Sequence, residues 1–256
     1  VYASTIQSGI GDAGLTVSSH GSHALHQTTL DAGQGDDSLG LEVVNAAGDV
    51  FGFAESRILM GEGQDSVAVS VSGINAVGMT GDERDSFLML GGGNDSLEIS
   101  ALGSEYGSAL TSSVNINTID AGDGNDAILL RGSEYALDAS GTGLNLILLG
   151  EGDDTITLDG FLRGTADQNS IDGGVGGRDE LRLALDGTSE DDMMMLNGLT
   201  ANASIANMEN IVLDLFGRTE DPLELTQEHL NNLYKSGWGQ PNEPGTDSEI
   251  YAHGTD

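Results

Sequence analysis

Six short stretches of this chain carry an aspartate just behind a pair of closely spaced glycines. They are AGQGDDSL (32–39), MGEGQDSV (60–67), LGGGNDSL (90–97), AGDGNDAI (121–128), LGEGDDTI (149–156) and GGVGGRDEL (173–181), the last with one inserted residue. An aspartate offers two hard anionic oxygens. The glycines beside it tolerate positive φ, which lets backbone carbonyls turn inward with it. Carboxylate and carbonyl oxygens in a flexible loop make an all-oxygen cage. Such a cage suits Ca2+, with its roughly six to eight oxygen ligands, better than zinc or copper. The chain has no cysteine, so disulfides, thiol catalysis and Cys-based zinc sites drop out together.

The spacing of the loops says what must position them. The first glycines fall at Gly33, Gly61, Gly91, Gly122, Gly150 and Gly174, separated by 28, 30, 31, 28 and 24 residues. Each loop is followed by a short alternating run (SLGLEVV, SVAVSVS, TITLDGF) and preceded by another (RILM, SFLML, LNLILL), with a third run such as VFGFA between them in the longer units. A unit of about 30 residues fits three short strands and three turns, one coil of a solenoid. Alternation supplies an inward face of Leu, Ile and Val and an outward face of Ser, Thr, Asp and Glu. The fold expected is all-β: a right-handed parallel β-helix whose coils are stabilised by stacking. Two degenerate copies accompany the series. SGIGDAGL (8–15) has Ala13 in the aspartate slot, and TGDERDSF (80–87) has Glu83 where the second glycine belongs, so Asp12 and Asp85 stand outside the set.

Stacking places equivalent residues about 4.8 Å apart. Asp37, Asp65, Asp95, Asp126, Asp154 and Asp179 would then form a ladder of like charges, each neighbour repelling by about 1 kcal/mol in water and more at lower dielectric. Such a ladder needs counter-charge, and 8 Lys plus Arg against 42 Asp plus Glu cannot supply it. That imbalance, a formal −34, also excludes nucleic acid as a partner. With one lysine, Lys235, and no apolar run of membrane-spanning length, membrane insertion is not expected either. A second repeat supports the coil length: LGSEY (102–106) returns as RGSEY (131–135), which should set Tyr106 beside Tyr135 and Glu105 beside Glu134. A corner reused for its turn geometry and a sugar-binding aromatic strip are the two readings of it.

The loops resemble the RTX (repeats-in-toxin) nonapeptide, G-G-x-G-x-D-x-U-x with U apolar. The resemblance covers the loops of residues 31–181. It implies several Ca2+ ions per chain, shared between stacked turns by the six aspartates and by carbonyls around Gly33/Gly35, Gly61/Gly63, Gly91/Gly93, Gly122/Gly124, Gly150/Gly152 and Gly174/Gly176. The usual RTX roll repeats every nine residues with loops on both sides. Here one loop per coil implies a single column of ions.

Three segments are expected: the solenoid over 1–220, a capping helix over 221–237, and a tail or linker over 238–256. ASIANMENIVLDLFG (203–217) resembles the run that follows RTX repeats in large secreted adhesins and reads as a last coil. In LTQEHLNNLYKSG, Thr226 reads as the N-cap, Leu225 and Leu230 as a hydrophobic staple and Gly237 as the stop. HGSHALH offers His20, His23 and His26; on a strand His20 and His26 share a face while His23 points away, so a solvated turn is the expectation and a zinc or nickel site the alternative. The chain has no G-x-S-x-G, no H-E-x-x-H and no P-loop. Arg131, Glu134 and Tyr135 beside Glu105 and Tyr106 are the strongest candidates for polysaccharide chemistry. The expected role is therefore non-enzymatic: a secreted, calcium-stabilised module of a type I-exported adhesin, surface layer or filament, folding on Ca2+ after export. Self-association and a cell-surface glycan or protein are the partners expected. The alternatives are a carbohydrate-binding or carbohydrate-modifying β-helix, and the export tail of a secreted hydrolase.

Overall fold

The computed structural model describes residues 1–165, 167–185, 189–214 and 249–253. The first coils contain β1 (Thr5–Gln7), β2 (Gly14–Ser19), β3 (His23–His26), β4 (Thr29–Gln34), β5 (Ser38–Asn45) and β6 (Val50–Ala54). The central ones contain β7 (Arg57–Glu62), β8 (Ser66–Thr80), β9 (Ser86–Gly92), β10 (Ser96–Ser112), β11 (Ile116–Asp123) and β12 (Ala127–Ala139). Then come β13 (Leu144–Glu151), β14 (Thr155–Arg163), β15 (Asn169–Asp172), β16 (Glu180–Ala184), the helix α1 (Ser189–Asn202), β17 (Ser204–Ala206), β18 (Asn210–Asp214) and β19 (Glu249–His253).

Neighbouring strands pair in parallel across coils, giving about seven turns of a β-solenoid. One sheet, in the order β1-β4-β7-β9-β11-β13-β15-β17, gathers the strands that lead into the glycine loops. The other, β2-β5-β8-β10-β12-β14-β16-β18-β19, contains in β2 to β16 the strands that leave them. The glycine loop is thus the corner that joins the two sheets in each successive coil. Apolar side chains line up inside: Leu39, Val67, Leu97, Ile128, Ile156, Leu181 and Ile211 form one register column, and Leu30, Ile58, Leu88, Ile119, Ile147, Ile171 and Ile205 face them from the other sheet. All fourteen are buried. Burial of such branched side chains against those of the neighbouring coils is what makes one coil's stability depend on the next.

Three separate strands per coil were expected; in the middle of the molecule the second and third run together. β8, β10, β12 and β14 each turn a corner and continue onto a third face with β3 and β6. Local bulges make the corner. Register shifts fall between Gly103 and Tyr106 and between Arg131 and Tyr135. A Cβ on Gly103 would lie 1.6 Å from the Tyr106 carbonyl oxygen, and one on Gly132 would lie 1.9 Å from that of Tyr135. The repeated GSEY is therefore a bulge whose tyrosine carbonyl folds back over a glycine, which bends the strand without ending it.

The C-terminal part departs from expectation in two places. α1 stands where a third-face strand would be, with Met195, Leu196 and Leu199 buried against the strand β14 side. β17 and β18 then complete a coil over the stretch read as the last one, but β19 adds to β18, pairing Ile211 with Ile250. Glu249–His253 thus forms a strand within the stretch expected as tail. The expected capping helix at 221–237, the solenoid boundary at 220 and the rest of the tail lie outside the described residues. Among the described residues, no helix is long and apolar enough to cross a membrane.

Candidate metal centre

The loop corners stack closely. Gly33, Gly61, Gly91, Gly122 and Gly150 have φ between 101° and 114°, a region L side chains rarely enter. They also have no room: a Cβ on Gly61 would lie 1.7 Å from the Gly33 carbonyl oxygen, and one on Gly91 1.8 Å from that of Gly61. The second glycines do the same, with a Cβ on Gly63 2.0 Å from the oxygen of Gly35 and one on Gly93 1.7 Å from that of Gly63; Gly124 and Gly152 repeat it. These carbonyls point along the stack toward the next coil. Each loop carbonyl therefore lies where the next coil's glycine would carry a side chain. In the last loop Gly174 stacks on Gly150, but Gly177 takes the place expected for Gly176, which has nothing within 4 Å of its would-be Cβ. The degenerate copy at 8–15 belongs to the column, since Gly33 stacks on Gly9 and Gly35 on Gly11. The copy at 80–87 does not: it forms the turn before β9, and Asp85 accepts from Ile116 N–H at 2.9 Å.

The six aspartates come together as expected, and all are buried. Each uses Oδ1 to hold the previous coil. Asp37 accepts from Ala13 N–H, Asp65 from Asp37, Asp95 from Asp65, Asp126 from Asp95 and Asp154 from Asp126, all at 2.7 Å, and Asp179 accepts from Asp154 at 2.9 Å. The second oxygen is left over: Oδ2 of Asp37, Asp65, Asp95, Asp126 and Asp154 is buried with no hydrogen-bond partner. Burial pushes Asp65, Asp95 and Asp126 up to about 6 and Asp179 to about 7, and neighbouring carboxylates add to the push. Backbone N–H donors offset only part of it.

The opposite corner shows how this fold builds a neutral ladder. Thr28, Ser56, Ser86, Asn117, Asn145 and Asn169 are all buried there. Asn117 Nδ2 donates to Asn145 Oδ1 (3.0 Å), Asn145 Nδ2 to Asn169 Oδ1 (2.9 Å) and Asn169 Nδ2 to the Asn202 carbonyl (2.7 Å). An amide both donates and accepts, so a column of amides passes hydrogen bonds from coil to coil and leaves only Asn117 Oδ1, at the start of the amide run, without a partner. A carboxylate only accepts, so a column of carboxylates cannot pass them on. Orphaned anionic oxygens on five consecutive coils, with neighbouring carboxylates among the charges acting on them, fit a hard cation. Among the described residues no three His, Asp or Glu side chains close around one point. The column therefore offers a cation one carboxylate per coil.

Two sets of residues escaped the sequence reading. Just before the aspartates, Asp12, Asp36, Asn94, Asn125 and Asp153 make an outer ladder running the other way, each accepting the next coil's N–H at 2.8–3.1 Å. The signal was present: four of the six loops carry Asp or Asn there, and the others Gln64 and Arg178. The second is Glu209, whose Oε2 accepts from Asp179 N–H at 2.8 Å.

Compared with models of protein families, with curated proteins and with solved structures, the chain matches none.

The weaker candidates resolve otherwise. Tyr106, Tyr135 and Phe161 do form a strip, with ring centroids 5.9 and 6.4 Å apart. Arg163 lies over Tyr135, 4.7 Å from its ring centroid, and pairs with the buried Asp138, which also accepts from the Tyr106 hydroxyl. The guanidinium covers a ring face that a sugar would stack on. Arg131 pairs with Asp159 at 2.6 Å. In β3, Ala24 and Leu25 are both buried, so strict alternation fails. That leaves His23 and His26 adjacent, 4.9 Å between ring centroids, while His20 is exposed in the preceding turn. His23 stacks on Phe51, and burial lowers its pKa; His26 Nε2 is 3.8 Å from Glu55 Oε1.

Proposed function

We propose that this chain is a calcium-stapled β-solenoid, a structural module of the RTX kind that folds on meeting Ca2+ outside the cell and supports adhesion or assembly there. The observation that carries the reading is the run of five buried, unpartnered Oδ2 atoms at one corner of successive coils. Asp37, Asp65, Asp95, Asp126, Asp154 and Asp179 would hold the ions. A bound divalent ion supplies the positive charge that the column lacks. Because the column exists only when coils are stacked, an ion that binds there binds the folded chain alone and stabilises it. At low Ca2+ the like charges oppose stacking; at high Ca2+ they favour it. That difference suits a chain exported unfolded by a type I system. The partners are a cell-surface glycan or protein, or further copies of the module, and the role is not catalytic.

Far-UV circular dichroism of chelator-treated protein, titrated with Ca2+ and in parallel with Mg2+, tests this. A cooperative gain of β signal or of thermal midpoint with Ca2+, and much less with Mg2+, is the expected result. A metal-free protein with full β signal whose midpoint ignores Ca2+ overturns the reading.

A further inference from the structure

We propose that Glu209 is the seventh carboxylate of the column among the described residues, and that it and Asp179 bind an ion between their coils; this rests on the calcium reading above. Glu209 occupies the aspartate position of its coil. Asp179 precedes Glu180, Glu209 precedes Asn210, and Glu180 pairs with Asn210 in the β16–β18 register. Its carboxylate accepts Asp179 N–H at 2.8 Å, continuing the relay that each aspartate makes to the coil before it. Asp179 returns the contact through its carbonyl, which accepts from Glu209 N–H (3.1 Å) and Asn210 N–H (2.9 Å).

The loop carrying Glu209 is of another kind, which explains why no glycine motif announces it. Between β17 and β18 only Asn207, Met208 and Glu209 make the turn. Asn207 has φ 52°, and its carbonyl oxygen lies 1.9 Å from where a Cβ on Gly173 would be. Met208 is buried, and the longer stem of Glu reaches the position that Asp reaches from the fuller loops. An unmet acceptor stands at this end of the column: Asp154 Oδ2, one coil before Asp179, is buried without a partner. A short turn has kept the one group a cation needs and discarded the rest of the motif.

The test is the number of ions bound by the whole chain, by equilibrium dialysis with Ca2+ and by calorimetric titration. Glu209→Gln keeps an oxygen to accept Asp179 N–H and removes the charge. It is expected to bind one ion fewer, or one ion at least about tenfold more weakly, with the β signal in chelator unchanged. Glu209→Asp, which keeps the charge, is expected to retain the ion. Wild-type numbers and affinities in Glu209→Gln overturn the proposal. Equal loss in both variants also overturns it, since that makes Glu209 a packing residue. A wild-type chain that binds no Ca2+ overturns the calcium reading itself, a different outcome from wild-type binding that Glu209→Gln leaves intact.

Discussion

An aspartate turned into a solenoid corner meets one backbone N–H from the neighbouring coil, and its other oxygen then needs a proton or a cation. Burial raises Asp65, Asp95 and Asp126 to about 6 and Asp179 to about 7, above the roughly 4 of an unfolded aspartate. Between those values the folded chain holds more protons than the unfolded one, so metal-free stability falls as pH rises from about 4 to about 7. In chelator the thermal midpoint is expected to be higher at pH 5 than at pH 8. In saturating Ca2+ the order is expected to reverse, because protons then compete with the ion. A metal-free midpoint that climbs from pH 5 to pH 8 contradicts this. Asp126→Asn separates charge from hydrogen bond: the amide oxygen can still accept Asp95 N–H. At pH 8 in chelator it is expected to stabilise the fold by on the order of 1–3 kcal/mol, and to lower the gain from added Ca2+. Chemical denaturation with and without the ion reads both. These six aspartates were legible because composition and spacing repeat together. Glu209 was not, because its turn shares neither glycines nor length with the others.

At the scale of the element, the loop glycines divide by what surrounds them. Gly91 has φ 114° and a would-be Cβ 1.8 Å from the Gly61 oxygen, so Gly91→Ala faces both backbone strain and a clash with main chain. A loss of about 3 kcal/mol or more is expected, visible as a large drop in thermal midpoint. Its neighbour Gly92 is the control. A Cβ there would meet the Glu62 carboxylate at 3.0 Å, the far end of a flexible side chain, and the matching loops carry Glu62, Asp123 and Glu151. Gly92→Ala is expected to stay within about 0.5 kcal/mol of the parent. Strand positions and inward faces could be read from alternation, as in Leu39 and Leu41 or Ile156 and Leu158. The bent strands could not, because a bulge at Gly103–Tyr106 and a turn look alike in sequence. Nor could α1, whose buried Met195, Leu196 and Leu199 follow no strand period and whose interior contains Gly198.

For the whole molecule, two polar corners run the length of one apolar core. The Ser and Asn corner hands hydrogen bonds from coil to coil through amides, with Asn117 Oδ1 left over, while the Asp corner repeats an unpaired anionic oxygen on five consecutive coils. In a stack where each coil contacts its neighbours, neutralising one column neutralises every interface at once, so ion binding and folding should be a single cooperative event. The period of about 30 residues made this architecture readable, since chance does not set six matching loops at near-constant spacing. How closely the loop backbones approach was not readable, because it depends on which atoms of the next coil each glycine faces. The most direct measurement is a crystal structure grown with Ca2+, or with a lanthanide in its place, examined for anomalous scattering along the aspartate corner. A row of peaks about 4.8 Å apart, each against the free oxygens of successive aspartates from Asp37 to Asp179, is the result expected. A folded solenoid with no peak at that corner, its aspartate oxygens met by protein or water alone, would contradict the calcium column outright.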